Sequence, residues 1–306
     1  MGAGTSSASS KLIHAGIRYL EQSWERLKEG RLSDAWRDFR FVLDASSERK
    51  VLGRLAPGLV RPKRIYFVLG EGDGRNALAV LAGTWTYYLM QLLQGQFFAP
   101  PAVYLRHSSI SRRFPDLAVA QARAVLSFCD SETDDARLVI ENLQSSNDLG
   151  ASALNYVELV SYREDGLGVS AVLRNRESDE GLEIRARVLV NASGAHVDDV
   201  ASRGGETKTP MIDRVAGAHI DVHPPVTDGS FYITASDQRL VFVLRREEDG
   251  LVYSRIGTTE RPMTPADSSD APQATTAEVS YLTDLARTYF PSARIDASTI
   301  VAVSYT

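Results

Sequence analysis

Residues 4–21 read GTSSASSKLIHAGIRYLE. Thr5, Ser6, Ser7, Ser9 and Ser10 form a hydroxyl run that leads into an amphipathic segment. The apolar spacing predicts a helix over 11–29, starting at Lys11. Lys11, His14 and Arg18 then stand at i, i+3 and i+7 on one face. Ala15 and Gly16 are small and let a flat ligand or another backbone approach. The first N–H groups of a helix point outward, and its dipole favours an anion there. Hydroxyl side chains would add donors. The same residues also suit a frayed tail before an ordinary capped helix, and chemistry alone leaves both readings open.

Residues 33–56 read as a second helix, with Ala35, Trp36, Phe39, Val42 and Leu43 on one face. APGLVRP (56–62) breaks the pattern, and a further helix covers 77–95. APPAVYLRHSSISRRFPDL (99–117) reads as a long irregular connection. TDDARLVIENLQSSNDLGA (133–151) reads as a helix, with Ala136, Val139, Ile140 and Leu143 in register and acids in its first turn. Strands follow in YVELVSYRED and GVSAVLRNRE. LEIRARVLVNAS (182–193) alternates and then becomes fully apolar at VLV, which predicts a strand entering a buried sheet. AHIDV, SFYITA, RLVFVLRR and LVYSRIGTT read as an antiparallel set. TPADSSDAPQATTAE (264–278) reads as a polar loop, VSYLTDLARTYF as a last helix and STIVAVSY as a last strand. The order predicts an α+β or α/β chain made of two intertwined parts.

With 306 residues, the chain has room for one large or two ordinary domains. A net charge of −5 argues against a general nucleic-acid binder. The single cysteine, Cys129, excludes an internal disulfide framework and suits a reducing compartment. No apolar run reaches the roughly 18 residues of a spanning helix. The densest run, ALAVLAGTWTYYLMQLL (77–93), reads as a buried or membrane-surface helix. Residues 1–20 lack the apolar core of a signal peptide.

Two motifs invite over-reading. RIYFVLGEGDGRNALAVL (64–81) places Gly72-x-Gly74-x-x-Ala77 between a strand and a helix, as a dinucleotide fingerprint would. The acid due about 20 residues later is missing from QGQFFAPPAVYLR (94–106), so a plain surface turn is the better reading. His219-x-Asp221-x-His223 puts two imidazoles and a carboxylate on one strand face, a pattern that zinc could use. No further ligand set accompanies it, and we expect no metal.

The opening stretch closely resembles the T-S-S-x-S-[ST]-K-L-I-H-G-G-[LV]-R-Y-L motif of FAD-dependent glycerol-3-phosphate dehydrogenases. DDARLVIENLQSSNDLGASALNYVELVS resembles the helix and strand that carry that family's N-D-A-R motif. RARVLVNASGAHVDDV resembles its V-[IV]-N-A-T-G-P-[WF] segment, and RVAGAHIDV its G-x-H-I-V strand. RLVFVL and RIGTTE resemble its R-[IV]-[IV]-F-[FV]-[IL]-P and [IA]-G-T-T-D elements. The order agrees over most of the chain and is weakest at 60–110.

The resemblance implies a Rossmann-like FAD-binding domain, 1–60 with 111–205, lacking its first βαβ unit. It implies a substrate or cap domain with an antiparallel sheet, 61–110 with 206–306. It implies oxidation of sn-glycerol 3-phosphate to dihydroxyacetone phosphate, with hydride passing to FAD and electrons to a membrane quinone. Ser6, Ser7, Ser10, Lys11, Leu12, His14 and Gly16 would lie along the pyrophosphate and flavin ring. Glu158 and Leu159 would border the adenine, and Ala192, Ser193 and Gly194 the diphosphate. Arg18 would bind the substrate phosphate beside Tyr19, His219 would take the C2 hydroxyl proton, and Thr258 and Thr259 would shape the site wall. Location at the mitochondrial inner or the bacterial cytoplasmic membrane is expected with this, and a homodimer is a further expectation.

The sequence also departs from the family pattern. The V-x-G-G-G-x-x-G loop and the S-G-[VI]-R-P segment do not occur, which suggests a core cut at both ends, a fragment or a mis-started gene model. Ala15, Arg245, Arg246 and Glu260 replace family residues. Two other readings stand beside the dehydrogenase. One is a related oxidase that passes electrons to oxygen and makes peroxide; the other is a flavin-free, non-catalytic remnant.

Overall fold

The structure, a computed structural model, describes residues 2, 4–70, 72–205, 209–263 and 273–305, with only the backbone of Arg18. The chain divides into two compact units, one built on Ile140–Ala216 and the other on Gly2–Val139, Gly217–Glu260 and the C-terminal helix and strand.

The larger unit opens with α1 (Thr5–Ala8), β1 (Leu12–Ile13), α2 (Ile17–Lys28) and α3 (Leu32–Leu55). Next come β2 (Arg61–Leu69), α4 (Ala77–Leu93), β3 (Val103–Tyr104), α5 (His107–Arg113) and β4 (Ala124–Glu132). Helix α6 (Asp135–Asp148) leads to the smaller unit, which holds β5 (Val157–Glu164), β6 (Val169–Asn175), β7 (Gly181–Ala186), α7 (Val197–Ser202) and β8 (Val215–Ala216). The chain then gives β9 (Ala218–Val222), β10 (Phe231–Thr234), β11 (Leu240–Glu248) and β12 (Leu251–Gly257). It finishes with β13 (Arg261–Pro262), α8 (Thr276–Tyr289) and β14 (Ile300–Tyr305).

In the larger unit the strands form a mixed sheet in the order β1-β4-β2-β10-β11-β12-β9-β14, with β3 also paired to β4. Strands β9 to β12 pair antiparallel, as expected, and β10 joins β2 in parallel. Each face of the sheet carries an apolar layer. Tyr66, Val68, Ile220, Phe231, Val243 and Ile256 meet α5 and α8 on one face. Ile65, Phe67, Leu126 and Tyr232 meet α2, α3 and α4 on the other. Phe231 is fully buried, and its ring meets Phe114 and Phe290 at 5.3 and 5.4 Å. Burying such a ring stabilises by about 1.5–3 kcal/mol. In α8, Thr275 accepts from the Glu278 amide while Glu278 reaches back to the Thr275 amide, so the capping box fixes where that helix starts.

Several expectations need correction. The helix foreseen over 11–29 begins only at Ile17. Lys11 and Gly16 both adopt left-handed backbone, with φ of 56° and 75°, which no helix interior accepts. Lys11, His14 and Arg18 therefore do not share one helical face. The run Val188–Val190 is irregular, and Val188 and Val190 are 72% and 78% exposed. Among the described residues no strand pairs with it, and an apolar run without a neighbour makes no ladder. The stretch 99–117 contains β3 and α5. β4 escapes a reading by alternation because both of its faces are buried. Of the polar loop foreseen over 264–278, residues 264–272 lie outside the described residues.

The glycine-rich turn after β2 is built around an inward acid. Asp73 accepts from the Arg75 amide at 2.9 Å and from the Thr234 hydroxyl at 2.8 Å.

Candidate active site

β9 places His219 and Asp221 on one face of the sheet, because alternate strand residues share a face. The register carries this row through Gly257, Phe242 and Tyr232 to Phe67. His219 is 3% exposed, and neither ring nitrogen has a hydrogen-bond partner among the described residues. Burial, helped by the Arg255 charge, lowers its pKa to about 4. At neutral pH the ring is uncharged and can accept a proton. Gly257 makes room for it: a Cβ there would stand 2.4 Å from His219 Cδ2.

Asp221 is taken by Arg255, which donates from Nε at 2.8 Å and from Nη2 at 2.7 Å. Nη1 of the same guanidinium donates to the Ser9 carbonyl at 3.0 Å. One arginine thus ties the strand of His219 to the hydroxyl segment. His223 is exposed, with Nδ1 2.7 Å from the Val252 carbonyl. Asp221 and His223 are therefore committed to protein partners rather than gathered as ligands around His219.

The hydroxyl segment is held from several sides. Ser9 donates to Asp135 at 2.6 Å and accepts from the Lys11 amide at 2.9 Å. Lys11 is buried and donates to Asp135 at 2.8 Å. Burial opposes the Asp135 charge, but the hydrogen bonds from Lys11 and Ser9 outweigh it and lower its pKa. Leu12 and Ile13 pair with Glu132 and Ser131 of β4. Ser7 donates to the Gly4 carbonyl at 3.1 Å. The side chains of Ser6, Ser10 and His14 make no hydrogen bond to another described residue, which leaves them able to meet a ligand.

Behind this loop lies a buried polar knot. Arg49 pairs with Asp130, whose pKa burial raises, and donates to the Tyr87 hydroxyl at 3.0 Å. The Tyr87 hydroxyl donates to Asp130 and accepts from the Ala15 amide at 3.2 Å. Gln96 accepts from Arg49 Nε and Nη2. The knot pins Ala15 from below, a role that no local motif in the sequence advertised.

Thr259 is buried, and its hydroxyl donates to Glu278 at 2.7 Å while accepting from the Ala218 amide at 2.8 Å. It fixes the wall beside His219. Thr258 donates to the Thr259 carbonyl at 2.8 Å. Tyr19 is 40% exposed, with its ring 4.7 Å from Phe41. Arg18 lies in α2, and its side chain is outside the described residues.

In the smaller unit, Glu158 on β5 is engaged by Arg203 at 3.1 Å and Arg174 at 3.2 Å. The hydrogen bonds from Arg174 and Arg203 hold its carboxyl below the usual range. Its neighbour Leu159 is half-buried in the same strand. Ala192, Ser193 and Gly194 form a turn in which the Ser193 hydroxyl donates to Asn191 at 2.6 Å and Gly194 has a φ of 59°.

Two departures from the expected pattern have partners. Arg246 is buried and donates to Glu132, Glu248 and the Thr133 carbonyl. Glu260 is exposed, and its carbonyl accepts from Arg239 at 2.8 Å.

A mixed sheet presenting a neutral buried imidazole beside a hydroxyl-rich loop is the kind of site that cofactor-dependent oxidoreductases build. The chain belongs to the DAO family of FAD-dependent oxidoreductases, whose family model matches residues 1–305. It is 30% identical to the alpha-glycerophosphate oxidase of Streptococcus pyogenes serotype M3, over 95% of this chain and 46% of that protein. It is 27% identical to the aerobic glycerol-3-phosphate dehydrogenase of Staphylococcus saprophyticus, over 95% of this chain and 49% of that protein. The chain therefore spans about half the length of these relatives. Its fold is similar to the glycerol-3-phosphate dehydrogenase of Bacillus halodurans complexed with FAD, with a TM-score of 0.70, 22% identity and coverage of 99% of this chain and 49% of that one. The L-alpha-glycerophosphate oxidase of Mycoplasma pneumoniae with FAD bound gives a TM-score of 0.65 at 11% identity, with coverage of 100% of this chain and 74% of that one.

The residues present fit a flavin. The His219 nitrogens are buried without a polar partner among the described residues, and the Ser6 and Ser10 hydroxyls have no hydrogen-bond partner among those residues either. The left-handed backbone at Gly16 turns the chain sharply between the loop and α2.

Proposed function

We propose that this chain carries the substrate-oxidising core of a flavoprotein that converts sn-glycerol 3-phosphate to dihydroxyacetone phosphate. The observation that carries the reading is the neutral, buried, unpartnered His219 joined through Asp221 and Arg255 to Ser9. When bound, FAD supplies the hydride acceptor for C2 of the substrate. Ser6, Ser7, Ser10, Leu12, His14 and Gly16 hold it along the hydroxyl segment, and Lys11 secures that segment through Asp135. Glu158 and Leu159 border its adenine, and Ala192, Ser193 and Gly194 its diphosphate.

His219 accepts the C2 hydroxyl proton on a ring nitrogen, which leaves the oxygen electron-rich as the C–H bond breaks. Arg18 binds the substrate phosphate with its guanidinium fork, and Tyr19 lines that end. Thr259 keeps β9 against the wall so that His219 does not swing. Residues 1–60 with 111–205 serve the cofactor, and 61–110 with 206–306 the substrate.

A membrane quinone would be the acceptor to which the bound flavin passes these electrons in this reading. No described helix is long and apolar enough to cross a membrane. The location that goes with this reading is the surface of a bacterial cytoplasmic or mitochondrial inner membrane. Exposed Leu78, Trp85, Leu89 and Leu93 on α4 support contact with such a surface. A second reading, with oxygen as acceptor and peroxide as product, is supported by the relatives named as oxidases.

The test is an anaerobic titration of the FAD-loaded protein with glycerol 3-phosphate, followed by reoxidation with a quinone analogue or with oxygen. Flavin bleaching supports the oxidation. Faster reoxidation by quinone supports the dehydrogenase, and stoichiometric peroxide the oxidase. Bound flavin that stays oxidised would overturn both.

A further inference from the structure

A cavity of about 340 Å3 opens in the larger unit, away from His219. It is lined by Arg64 and Tyr66 of β2, Arg113 at the end of α5, Arg245 of β11, and the 227–230 loop. His219 shares its face of the sheet with Phe67 and Phe242, as the strand registers show. Tyr66 and Arg64 have the opposite parity to Phe67, and Arg245 the opposite parity to Phe242. The cavity therefore belongs to the other face.

Its charge is not balanced. Arg64 makes a 3.3 Å hydrogen bond to the Ser127 hydroxyl and pairs with no carboxylate among the described residues. Arg113 donates to the Tyr66 hydroxyl at 3.0 Å and also has no carboxylate partner among them. Its guanidinium lies 5.6 Å from the Tyr66 ring centre and 5.2 Å from that of Phe114, which holds it in place. Among the described residues the Arg245 guanidinium meets one carboxylate, Asp228 at 3.9 Å, whose side chain is 98% exposed. Asp116, which is half-buried, adds one carboxylate to the lining. Arg245 is one of the departures noted in the sequence, and the oxidation chemistry gives it no role.

Three guanidiniums thus reach one cavity from three different elements. A planar carboxylate accepts in one plane, whereas a tetrahedral phosphate accepts from several directions and carries two charges. We propose that this cavity is a second anion site that binds a phosphate monoester group, separate from the substrate phosphate. The group could be carried by a soluble metabolite or by a lipid headgroup.

The experiment is calorimetric titration of the FAD-loaded full-length protein with inorganic phosphate, beside sedimentation with phosphatidylcholine vesicles containing phosphatidic acid. The variants are R64Q/R113Q and the charge-keeping R64K/R113K. Removing two charge-assisted partners should weaken binding at this site by about tenfold or more. The KM for glycerol 3-phosphate and the flavin spectrum should stay unchanged, and R64K/R113K should recover part of the binding. A loss seen with inorganic phosphate assigns a soluble ligand, and a loss seen only with vesicles assigns a headgroup. The proposal is overturned if R64Q/R113Q binds both probes like the unaltered protein, or if the unaltered protein binds neither. Because the substrate KM is read separately, failure here leaves the oxidation at His219 untouched.

Discussion

Arg255 meets Asp221 through two parallel hydrogen bonds of 2.8 and 2.7 Å, two residues along β9 from His219. The pair is 7% exposed on both sides. Arg255 places a positive charge near His219 that helps to keep the ring neutral, and its Nη1 donates to the Ser9 carbonyl. Cutting one partner leaves a buried charge uncompensated, which costs about 3–5 kcal/mol. We expect Asp221→Asn to lower thermal stability by that amount. The paired apolar variant D221L/R255M should cost less than either single change, which a double-mutant cycle by denaturant unfolding would read. FAD affinity should still fall in the double variant, because Ser9 loses the Arg255 bond and keeps only Asp135 and Lys11 among the described residues.

His219 sets the acid limb. Its folded pKa, about 4, lies below the ordinary 6.5. The unfolded chain therefore binds the extra proton first as pH falls. The stabilising contribution is fully present above 6.5 and is lost progressively down to about 4, a change of about 3 kcal/mol. His219→Asn should flatten that part of the stability profile. The rate of flavin reduction should hold level above about pH 4 and fall below it, since a protonated ring cannot accept.

Gly257 is a steric requirement. A methyl group there would meet His219 Cδ2 at 2.4 Å and the Ala218 carbonyl at 2.9 Å. Gly257→Ala should destabilise by about 1–3 kcal/mol through overpacking. It should also slow flavin reduction by tilting the imidazole, with substrate affinity less affected. Stopped-flow reduction at several substrate concentrations separates the two.

Tyr87 links the core to the loop. Tyr87→Phe removes the acceptor for the Ala15 amide and a donor to Asp130. Leaving those groups unpaired costs about 1–3 kcal/mol. We expect faster FAD loss from the variant on dilution, measured by flavin fluorescence, because Ala15, next to Gly16, loses its support.

Much of this was legible in the sequence. Helices α3, α4, α6 and α8 follow their apolar spacing, and β9 to β12 follow alternation and turn residues. The His219 strand and the GTT segment pointed to the wall of the site. What stayed hidden has physical causes. β4 is buried on both faces, so period-2 contrast vanishes. The loop at 11–16 carries helix-like spacing but turns on left-handed Lys11 and Gly16, and φ is not written in hydropathy. The apolar run 188–190 has no pairing strand among the described residues. The Arg49–Asp130–Tyr87 knot joins residues far apart in sequence, which no single-chain pattern reveals.

Anaerobic stopped-flow reduction of the FAD-loaded protein by glycerol 3-phosphate, with His219→Asn alongside, tests whether His219 is the base. We expect rapid bleaching of the flavin in the unaltered protein. In the variant, with FAD still bound, bleaching should be slower by about a hundredfold or more, the loss typical of a general base. Equal rates in the two proteins would contradict the role of His219 and the site built around it.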